Sequence, residues 1–513
     1  MRRIGIDVGG TNTDAVLIDD GRVKRAVKVP TSADVTAGIV QALAQLRAAP
    51  EGQGNVDAVM IGTTHFINAV VQRRQLTPVG ALRIGEPVSA TLPPFCDWPT
   101  DVAAIAKGAI ASVEGGFEYD GRPIMPLDEA AIRRTARQMR DQGLRAVAIA
   151  AIFSPIDSGH EQRAGEIVAE EIPGVAMTLS SDLGRIGLLE RENAALLNAA
   201  LSELARDTIA AFSQAIRDSG ITAPLYITQN DGTVAEAATA MRFPVYSFAS
   251  GATNSMRGAA YLSQLDDAMV VDVGGTTTDV GQLKQGFPRE SNSVVHIGGV
   301  RTLFRMPDLL SFGLGGGSHV SLEPLQVGPV SVGYRLVSDA LVFGGRQLTT
   351  TDIAVAVGVL DLGDASRVAH LHGATCRRVL DACRRLVEEA VDRVKTEAGD
   401  VPLIAVGGGA FLVPDRLDGV SRVIRVEHGD CANAVGAAIA QVSGEVDQIF
   451  RDRSRTEAIA AACELAAERA VAAGARADTL KTIEIEDMPL SYLPGNSLRV
   501  RVRMVGDVAA AGD

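Results

Sequence analysis

Apolar positions at the start of the chain fall into three short runs, residues 3–8, 13–19 and 22–29, which read as strands, the last two joined by a D-G turn at Asp20-Gly21. From about 32 to 48 they recur at helical spacing, then an apolar strand "DAVMIG" and a second helix near Thr64 complete a β-β-β-α-β-α order. That order begins again at Asp266, with "AMVVDV", a glycine turn, "TDVGQLK", and later helices separated by buried strands such as "PLIAVG" at 402–407. The glycine turns, at residues 7 and 272, lie far beyond the period of about 20 to 50 residues of a solenoid repeat. The pattern therefore predicts two related α/β domains facing one another across a cleft.

Between the copies the pattern predicts a Gly/Pro-rich stretch at 85–126 ending in a hairpin "GGFEYDGRPIM", a strand-helix unit "RAVAIAAIFS" plus "IDSGHEQRAGEIVAEE", and one long helix from about 187 to 219. Beyond Gly444 a helix of Ala, Glu and Arg residues leads into two alternating strands, "LKTIEIEDMPL" and "SLRVRVRMVG", read as a small appended sheet. The division expected is 1–180 for a first domain with its insertion at about 85–126, 181–445 for a second, and 446–513 for a C-terminal α+β extension.

Composition narrows the chemistry. With 513 residues, 46% hydrophobic and 22% charged, the chain is globular and long enough for at least two domains. Five scattered cysteines without a C-x-x-C give neither a disulfide framework nor a zinc site. The net charge of −13, with dispersed basic residues, argues against nucleic acid. Residue 1 leads straight into a strand, and no stretch approaches a bilayer-spanning length, so a cytoplasmic protein without a membrane partner is expected.

The chemistry sits in "DVGGTNTD" (7–14) and "DVGGTTTD" (272–279). A buried strand delivers Asp7 to its end, and Gly9 and Gly10 let backbone N–H groups face a phosphate without a Cβ in the way. Thr11, Asn12 and Thr13 add donors. Asp272, Gly274, Gly275, Thr276 and Thr277 repeat the arrangement for the far end of the same triphosphate. A carboxylate beside phosphate needs a bridging cation, so Asp7 and Asp272 are the expected Mg²⁺-side groups. The bland reading of either turn alone is a tight hairpin; the repetition weakens it. Asp14 and Asp279 read as structural acceptors within their turns. Gly407, Gly408 and Gly409 in "AVGGGAF" offer a surface for adenine and ribose, there being no P-loop lysine and no G-x-G-x-x-G. "FGLGGGSH" at 312–319 reads equally as a loop over ligand or a structural turn, and the small residues of "GDCANAVGAAIA" suggest a closely packed hinge helix.

These paired turns and the glycine loop resemble the acetate kinase, actin, hexokinase and Hsp70 superfamily. More narrowly the chain resembles the hydantoinase/oxoprolinase family, in its hydantoin-utilisation A-type subunit. "IGTTHFINAVVQRR", "SSDLGRIGLLERENAALLNAAL", "QNDGTVA", "SFASGATNSMRGAAYL" and "FGLGGGS" occur in family order between and after the turns, within residues 1–445. The resemblance implies two ribonuclease H-like, actin-like ATPase domains around a nucleotide cleft, ATP and Mg²⁺ as cofactors, and activation of a cyclic amide such as 5-oxoproline, a hydantoin or a related lactam by phosphorylation for ring opening. It implies substrate-side roles for Thr63, Thr64, Asn68, Asn230 and Ser250. Thr63 and Thr64 read equally as helix caps, and Asp231 as a general base or a turn residue. His65, His160 and His319 read as ordinary polar side chains rather than metal ligands. The chain departs from the pattern where long members carry His before the G-T-T, here Ile61-Gly62, and S-G-P, here Ser250-Gly251-Ala252. It is much shorter than the single-chain oxoprolinases and is expected to be without their hydrolase-type module, which leaves room for a partner subunit carrying that half, and for a homo-oligomer. The alternatives are a small-metabolite kinase and a nucleotide-switched binding ATPase of the same fold.

Overall fold

The computed structural model describes residues 1–9, 11–30, 35–183, 186–291, 294–303, 305–490 and 496–509. Along the chain, β1 (Arg2–Val8), β2 (Asn12–Asp19), β3 (Arg22–Pro30), α1 (Val35–Arg47), β4 (Ala58–Thr63) and α2 (His65–Gln72) give the β-β-β-α-β-α order expected. Next come β5 (Val79–Glu86), α3 (Thr100–Ala106), β6 (Lys107–Glu114), α4 (Glu129–Asp141), β7 (Ala146–Ala151), α5 (Gly159–Glu171) and β8 (Ala176–Leu179). Then follow α6 (Leu188–Ala200), α7 (Ser202–Asp218), β9 (Leu225–Thr228), β10 (Thr233–Glu236), α8 (Ala237–Arg242) and α9 (Ser250–Ser263).

The second copy of the pattern supplies β11 (Ala268–Val273), β12 (Thr278–Lys284) and β13 (Phe287–Pro288), then the short strands β14 (Val295–Ile297), β15 (Val300–Thr302), β16 (Leu309–Phe312), β17 (Ser318–Leu322) and β18 (Leu325–Ser331). After α10 (Leu336–Asp339), α11 (Thr350–Ala356) and α12 (Gly373–Val394) come β19 (Val401–Val406), β20 (Val420–Arg425), α13 (Ala432–Ile439), β21 (Gln441–Phe450), α14 (Arg455–Ala472), β22 (Lys481–Pro489) and β23 (Leu498–Gly506).

The repeat seen in sequence is a repeat of sheet topology. One sheet contains the order β3-β2-β1-β4-β9, the other β13-β12-β11-β19-β20, and in both the first three strands are antiparallel while the last two run parallel to the third. The α/β class with two ribonuclease H-like halves is thus the one observed. Parallel strands buried on both faces account for the unbroken apolar runs: every residue of β4 and of β9 is buried.

Three features differ from the sequence expectations. Residues 79–179 form their own four-stranded parallel sheet, β6-β5-β7-β8, so the Gly/Pro-rich stretch contributes a strand and a helix to a layer that starts before it. The long helix breaks at Leu201, where the carbonyl of Ala200 is taken by the amide of Thr77. Residues 441–450, which carry no helical or clean alternating signal, form β21, and through it β23 and β22 extend the first sheet to nine strands. Gly444 interrupts the alternation because a Cβ there would overlap the carbonyl oxygen of Ala466 in α14.

Helices α9 and α13 cross at the centre. A Cβ on Gly258 would overlap the carbonyl of Ala432, one on Gly436 the carbonyl of Asn254, and one on Gly5 of β1 the carbonyl of Ala434. The small residues of "GDCANAVGAAIA" therefore serve backbone-to-backbone packing, with α13 wedged between β1 and α9. Among the described residues no helix is long and apolar enough to cross a membrane.

Candidate functional site

Each glycine turn closes the hairpin between an antiparallel strand pair in the same register. Asp7 stands opposite Asp14 and Asp272 opposite Asp279. The Gly9 amide donates to the Asn12 carbonyl at 3.0 Å, and the Gly274 amide to the Thr277 carbonyl at 2.9 Å. Gly10 lies outside the described residues. The two turns approach one another: a Cβ on Gly275 would sit 3.4 Å from Thr11 Oγ1. Thr13 is fully buried, with its hydroxyl 2.8 Å from where a Cβ on Gly38 would stand, whereas Thr277 is exposed. The donors available to a ligand are thus those at the tips of the turns.

Asp7 is buried, and burial, helped by the Asp14 and Asp272 charges, raises its carboxyl to about 8. Burial raises Asp272 to about 6. Each is held through Oδ2 by one side chain: Asn433 Nδ2 donates to Asp7 at 2.7 Å, and the Ser255 hydroxyl donates to Asp272. The other oxygen of Asp7 faces Gly62 and Gly251, where hypothetical Cβ atoms would lie 3.0 and 3.9 Å away. Asn254, fully buried, donates to Thr228 Oγ1 at 3.0 Å, and its own Oδ1 has no protein partner.

Two carboxylates disfavoured as anions and an orphaned acceptor suit a hydrated divalent cation, whose charge restores ionisation and whose water can donate to Asn254. No group of three or more His, Cys, Asp or Glu is placed to hold a metal among the described residues.

The remaining glycine clusters are tied to this centre. Gly409 donates to the Val273 carbonyl at 2.7 Å, and Gly407, at φ +86, has no room for a side chain beside Asp272, while nothing stands within 4 Å of a Cβ on Gly408. Gly316 and Gly317 donate to the carbonyls of Gly274 and Gly275 at 3.0 and 2.8 Å. "FGLGGGSH" therefore braces the second turn. Asp14 receives the Lys28 ammonium at 2.6 Å on both oxygens, and Asp279 accepts from Ser311.

Of the expected substrate-side residues, Thr63 and Ser250 meet next to Asp7, the Ser250 hydroxyl donating to the Thr63 carbonyl at 3.2 Å. Thr64 accepts from Asn68 and its methyl would lie 3.5 Å from a Cβ on Gly251. Thr63 Oγ1 accepts from the His65 amide at 3.2 Å, a local turn at the start of α2, whereas Thr64 makes no side-chain capping bond.

Asn230 has both ends of its amide committed, donating to the Val245 carbonyl and accepting from the Ala249 amide, so it shapes the site without a free group. Asp231 accepts from Thr233 at 2.6 Å and pairs with Arg503 at 3.0 Å; despite burial these partners hold it below the ordinary carboxylate range, which makes it a poor base. His160 Nδ1 accepts from the Gly116 amide and its ring packs on Phe117, and burial lowers both His65 and His160.

Sequence reasoning did not single out Asn433, Ser255, Asn254, Thr228 or Lys28. Only the small-residue pattern of "GDCANAVGAAIA" hinted that α13 packs closely at the cleft.

The model for the hydantoinase/oxoprolinase N-terminal region matches residues 3–172, and the hydantoinase/oxoprolinase model matches residues 191–393. Caprolactamase subunit alpha of Pseudomonas jessenii is 28% identical over 471 residues, 81% of this chain and 66% of that protein. The acetophenone carboxylase gamma subunit of Aromatoleum aromaticum is 28% identical over 399 residues, 70% of this chain and 54% of that one. The chain thus spans about half to two thirds of the length of these curated relatives. The crystal structure of the ATP-dependent caprolactamase from Pseudomonas jessenii superposes with a TM-score of 0.78 at 22% identity, over 98% of this chain and 87% of that one. A nucleotide-free acetone carboxylase does so with a TM-score of 0.70 at 18% identity, over 99% and 89%.

Proposed function

Because the chain belongs to the hydantoinase/oxoprolinase family, we propose that it uses ATP to activate the amide oxygen of a small cyclic amide, preparing the ring for opening by water. The observation that carries this reading is the pair of matched turns, brought within contact of each other by two sheets of identical topology, with Asp7 and Asp272 held by Asn433 and Ser255.

ATP with Mg²⁺ supplies the phosphoryl group that turns a resonance-stabilised amide into an electrophile with a good leaving group. The chain's own contribution is positional. The amides at the tips of the two turns, which the Gly9 and Gly274 hydrogen bonds close, would bind phosphate oxygens, and Asp7 and Asp272 would hold the cation. Gly408 leaves open space beside the second turn for the nucleoside. Thr63, Thr64 and Ser250, gathered beside Asp7, would receive the acceptor oxygen, a role their closeness to that carboxylate supports. Preorganised donors in a water-poor cleft stabilise the charge that develops during transfer.

The relatives are named as subunits, and that supports a hydrolase-type partner for the ring-opening half. Two of them are named as carboxylase subunits, which favours one second reading, activation of a ketone rather than a lactam.

The test is phosphate release from ATP and Mg²⁺ across 5-oxoproline, hydantoins, simple lactams and ketones with bicarbonate, with Asp7→Ala and Asp272→Ala as controls. Stimulation by a ring amide, lost in both variants, supports the first reading. Stimulation by a ketone alone supports the second. A stable phosphorylated product without hydrolysis would identify a metabolite kinase.

A further inference from the structure

Between β13 and β16, both of which pair with β12 in the second sheet, the chain leaves that sheet and crosses to the first lobe as a strap. At its root the two limbs run side by side: the Asp308 amide donates to the Arg289 carbonyl at 2.7 Å, and Glu290 forms a β-bridge with Pro307. Its tip is the hairpin β14–β15, whose Ile297 and Val300 are buried in the apolar core that also holds β1, β4 and α6. A Cβ on Gly298 would stand 2.9 Å from Val70 of α2, and one on Gly299 2.7 Å from Pro99, so the hairpin turn lies directly on the first lobe. Asn193 of α6 receives the Trp98 indole at 2.7 Å and donates to the Arg301 carbonyl at 2.9 Å, which places Trp98 beneath the tip.

The root is fastened by charge. Glu290 pairs with Arg501 and Arg503 of β23 at 2.9 and 3.0 Å, and Arg305 with Glu445 of β21 and Glu484 of β22 at 2.6 and 3.0 Å. Those three strands extend the first sheet. The strap is therefore tied to the first lobe twice, by an apolar tip and by a charged root. The root also abuts the site: Arg257 of α9, two residues after the Ser255 that holds Asp272, lies 3.7 Å over the Phe287 ring of β13 and donates to the Gly286 carbonyl at 2.6 Å. At the cleft itself a Cβ on Gly275 would stand 3.4 Å from Thr11 Oγ1. The two turns leave no room for a phosphate group between them at that point, so the lobes must part there to admit one.

We propose that the strap is an autoinhibitory latch: its closed root holds the two turns together and keeps nucleotide out, and the root opens while the tip stays seated when nucleotide enters. The inference rests on the reading above only in placing the nucleotide between the turns. Lifting the tip would expose the fully buried Val300, and Ile297 with it, to water. Opening the root returns charged groups to water, whose hydration offsets much of the lost pairing. The arginines left behind keep partners, because Arg501 also meets Glu484 and Glu486, and Arg503 also meets Asp231. The root is the weaker attachment, and the C-terminal strands that form it thereby control access to the cleft.

The experiment follows association and dissociation of a fluorescent Mg²⁺-ADP analogue by stopped flow on the full chain, as wild type, Glu290→Gln, Arg305→Gln and Arg455→Gln. The last breaks the Arg455–Asp487 pair between α14 and β22, outside the strap. Emission and acrylamide quenching of Trp98, the only tryptophan of the chain, report the tip. Glu290→Gln and Arg305→Gln are each expected to speed association and tighten affinity by about fivefold or more, with Trp98 unchanged, while Arg455→Gln matches wild type. Damage to the fold weakens binding, so tighter binding separates a latch from a merely structural pair. Unchanged or weaker binding in both root variants, or a Trp98 that becomes more quenchable when nucleotide binds, overturns the proposal. If neither variant folds, hydrogen exchange on the wild type decides: Mg²⁺-ADP is expected to speed exchange of the Asp308 amide and leave 295–302 protected, and an unchanged Asp308 overturns the latch. A wild type that binds no analogue sinks the nucleotide reading and the latch together, whereas ordinary binding that ignores both root substitutions sinks the latch alone.

Discussion

Replacing Asp7 by asparagine should stabilise the ligand-free protein while abolishing ATP turnover. Its carboxyl is raised from 3.8 to about 8 by burial and by Asp14 and Asp272. The unfolded chain therefore loses the proton near pH 4 and the folded chain keeps it until near pH 8. In that window the unfolded state binds fewer protons, so the contribution of Asp7 to stability is fully present below about pH 4 and is lost as pH rises through 8. At 1.36 kcal/mol per pKa unit the ceiling on this penalty at pH 7 is about 4 kcal/mol.

The asparagine can still accept from Asn433 and carries no charge at any pH. Urea denaturation of metal-free, nucleotide-free wild type and Asp7→Asn from pH 5 to 8 should show a stability difference that favours the variant and grows with pH by up to about 1.4 kcal/mol per unit. Mg²⁺-ATP should raise the wild-type midpoint and leave the variant's almost unmoved. A variant less stable than wild type at pH 8 without ligand would refute the reasoning, because Asp7 would then be a contributor to the fold and not a strained ligand.

Gly258→Ala or Gly436→Ala forces a methyl into a backbone carbonyl across the α9–α13 crossing; a loss of roughly 1–3 kcal/mol is expected in a thermal melt, with weaker Mg²⁺-ADP binding. Lys28→Met strips Asp14 of its ammonium partner and should destabilise the protein by about 1–3 kcal/mol, the pair being partly exposed; an unchanged urea midpoint at pH 7 would count against the pair. Asp231→Asn should lower stability at pH 7 without moving the pH profile of kcat, because a carboxylate held low by Arg503 and Thr233 stabilises the fold above its ordinary range and loses that contribution only as pH falls through its folded pKa. Loss of the acidic limb of the profile in a folded Asp231→Asn variant would restore the general-base reading.

The elements that could be read in the sequence are those whose evidence is local. Asp7 and Asp272 end apolar runs and are followed by glycines, so strand, turn and chemistry are written within about ten residues, and the parallel strands at 58–63 and 401–406 announce themselves by being apolar on both faces. The groups that tune the site are not local. Asn433 reaches Asp7 across 426 positions of sequence, and Ser255 and Asn254 are polar residues in a helix that reads as amphipathic. Nothing in their spacing marks them, because the contact is made by the crossing of α9 and α13 rather than by either helix. β21 was hidden for a related reason: Gly444 leaves room for a helix carbonyl on the buried face while Glu445 and Asp447 pair with arginines on the other, so only Val442 and Val446 carry the alternation that normally betrays a strand. Asp231, conspicuous in "QNDG", turned out to be held by an arginine 272 positions away.

The nine-stranded sheet sets an order of assembly. β21, β22 and β23 pair onto β10, and so onto the strands that carry Asp7. A chain emerging from the ribosome at about 5–20 residues per second displays β10 as an open edge until β21 has been made, and β21 as an open edge until β23 ends at Gly506. The sheet built from β11, β12 and β19 has all its strands by residue 425 and can close first. The half of the nucleotide site that is translated first is thus finished last, and a ribosome that stalls before residue 441 leaves a folded second lobe tethered to an adhesive sheet edge, the kind of intermediate that chaperones capture.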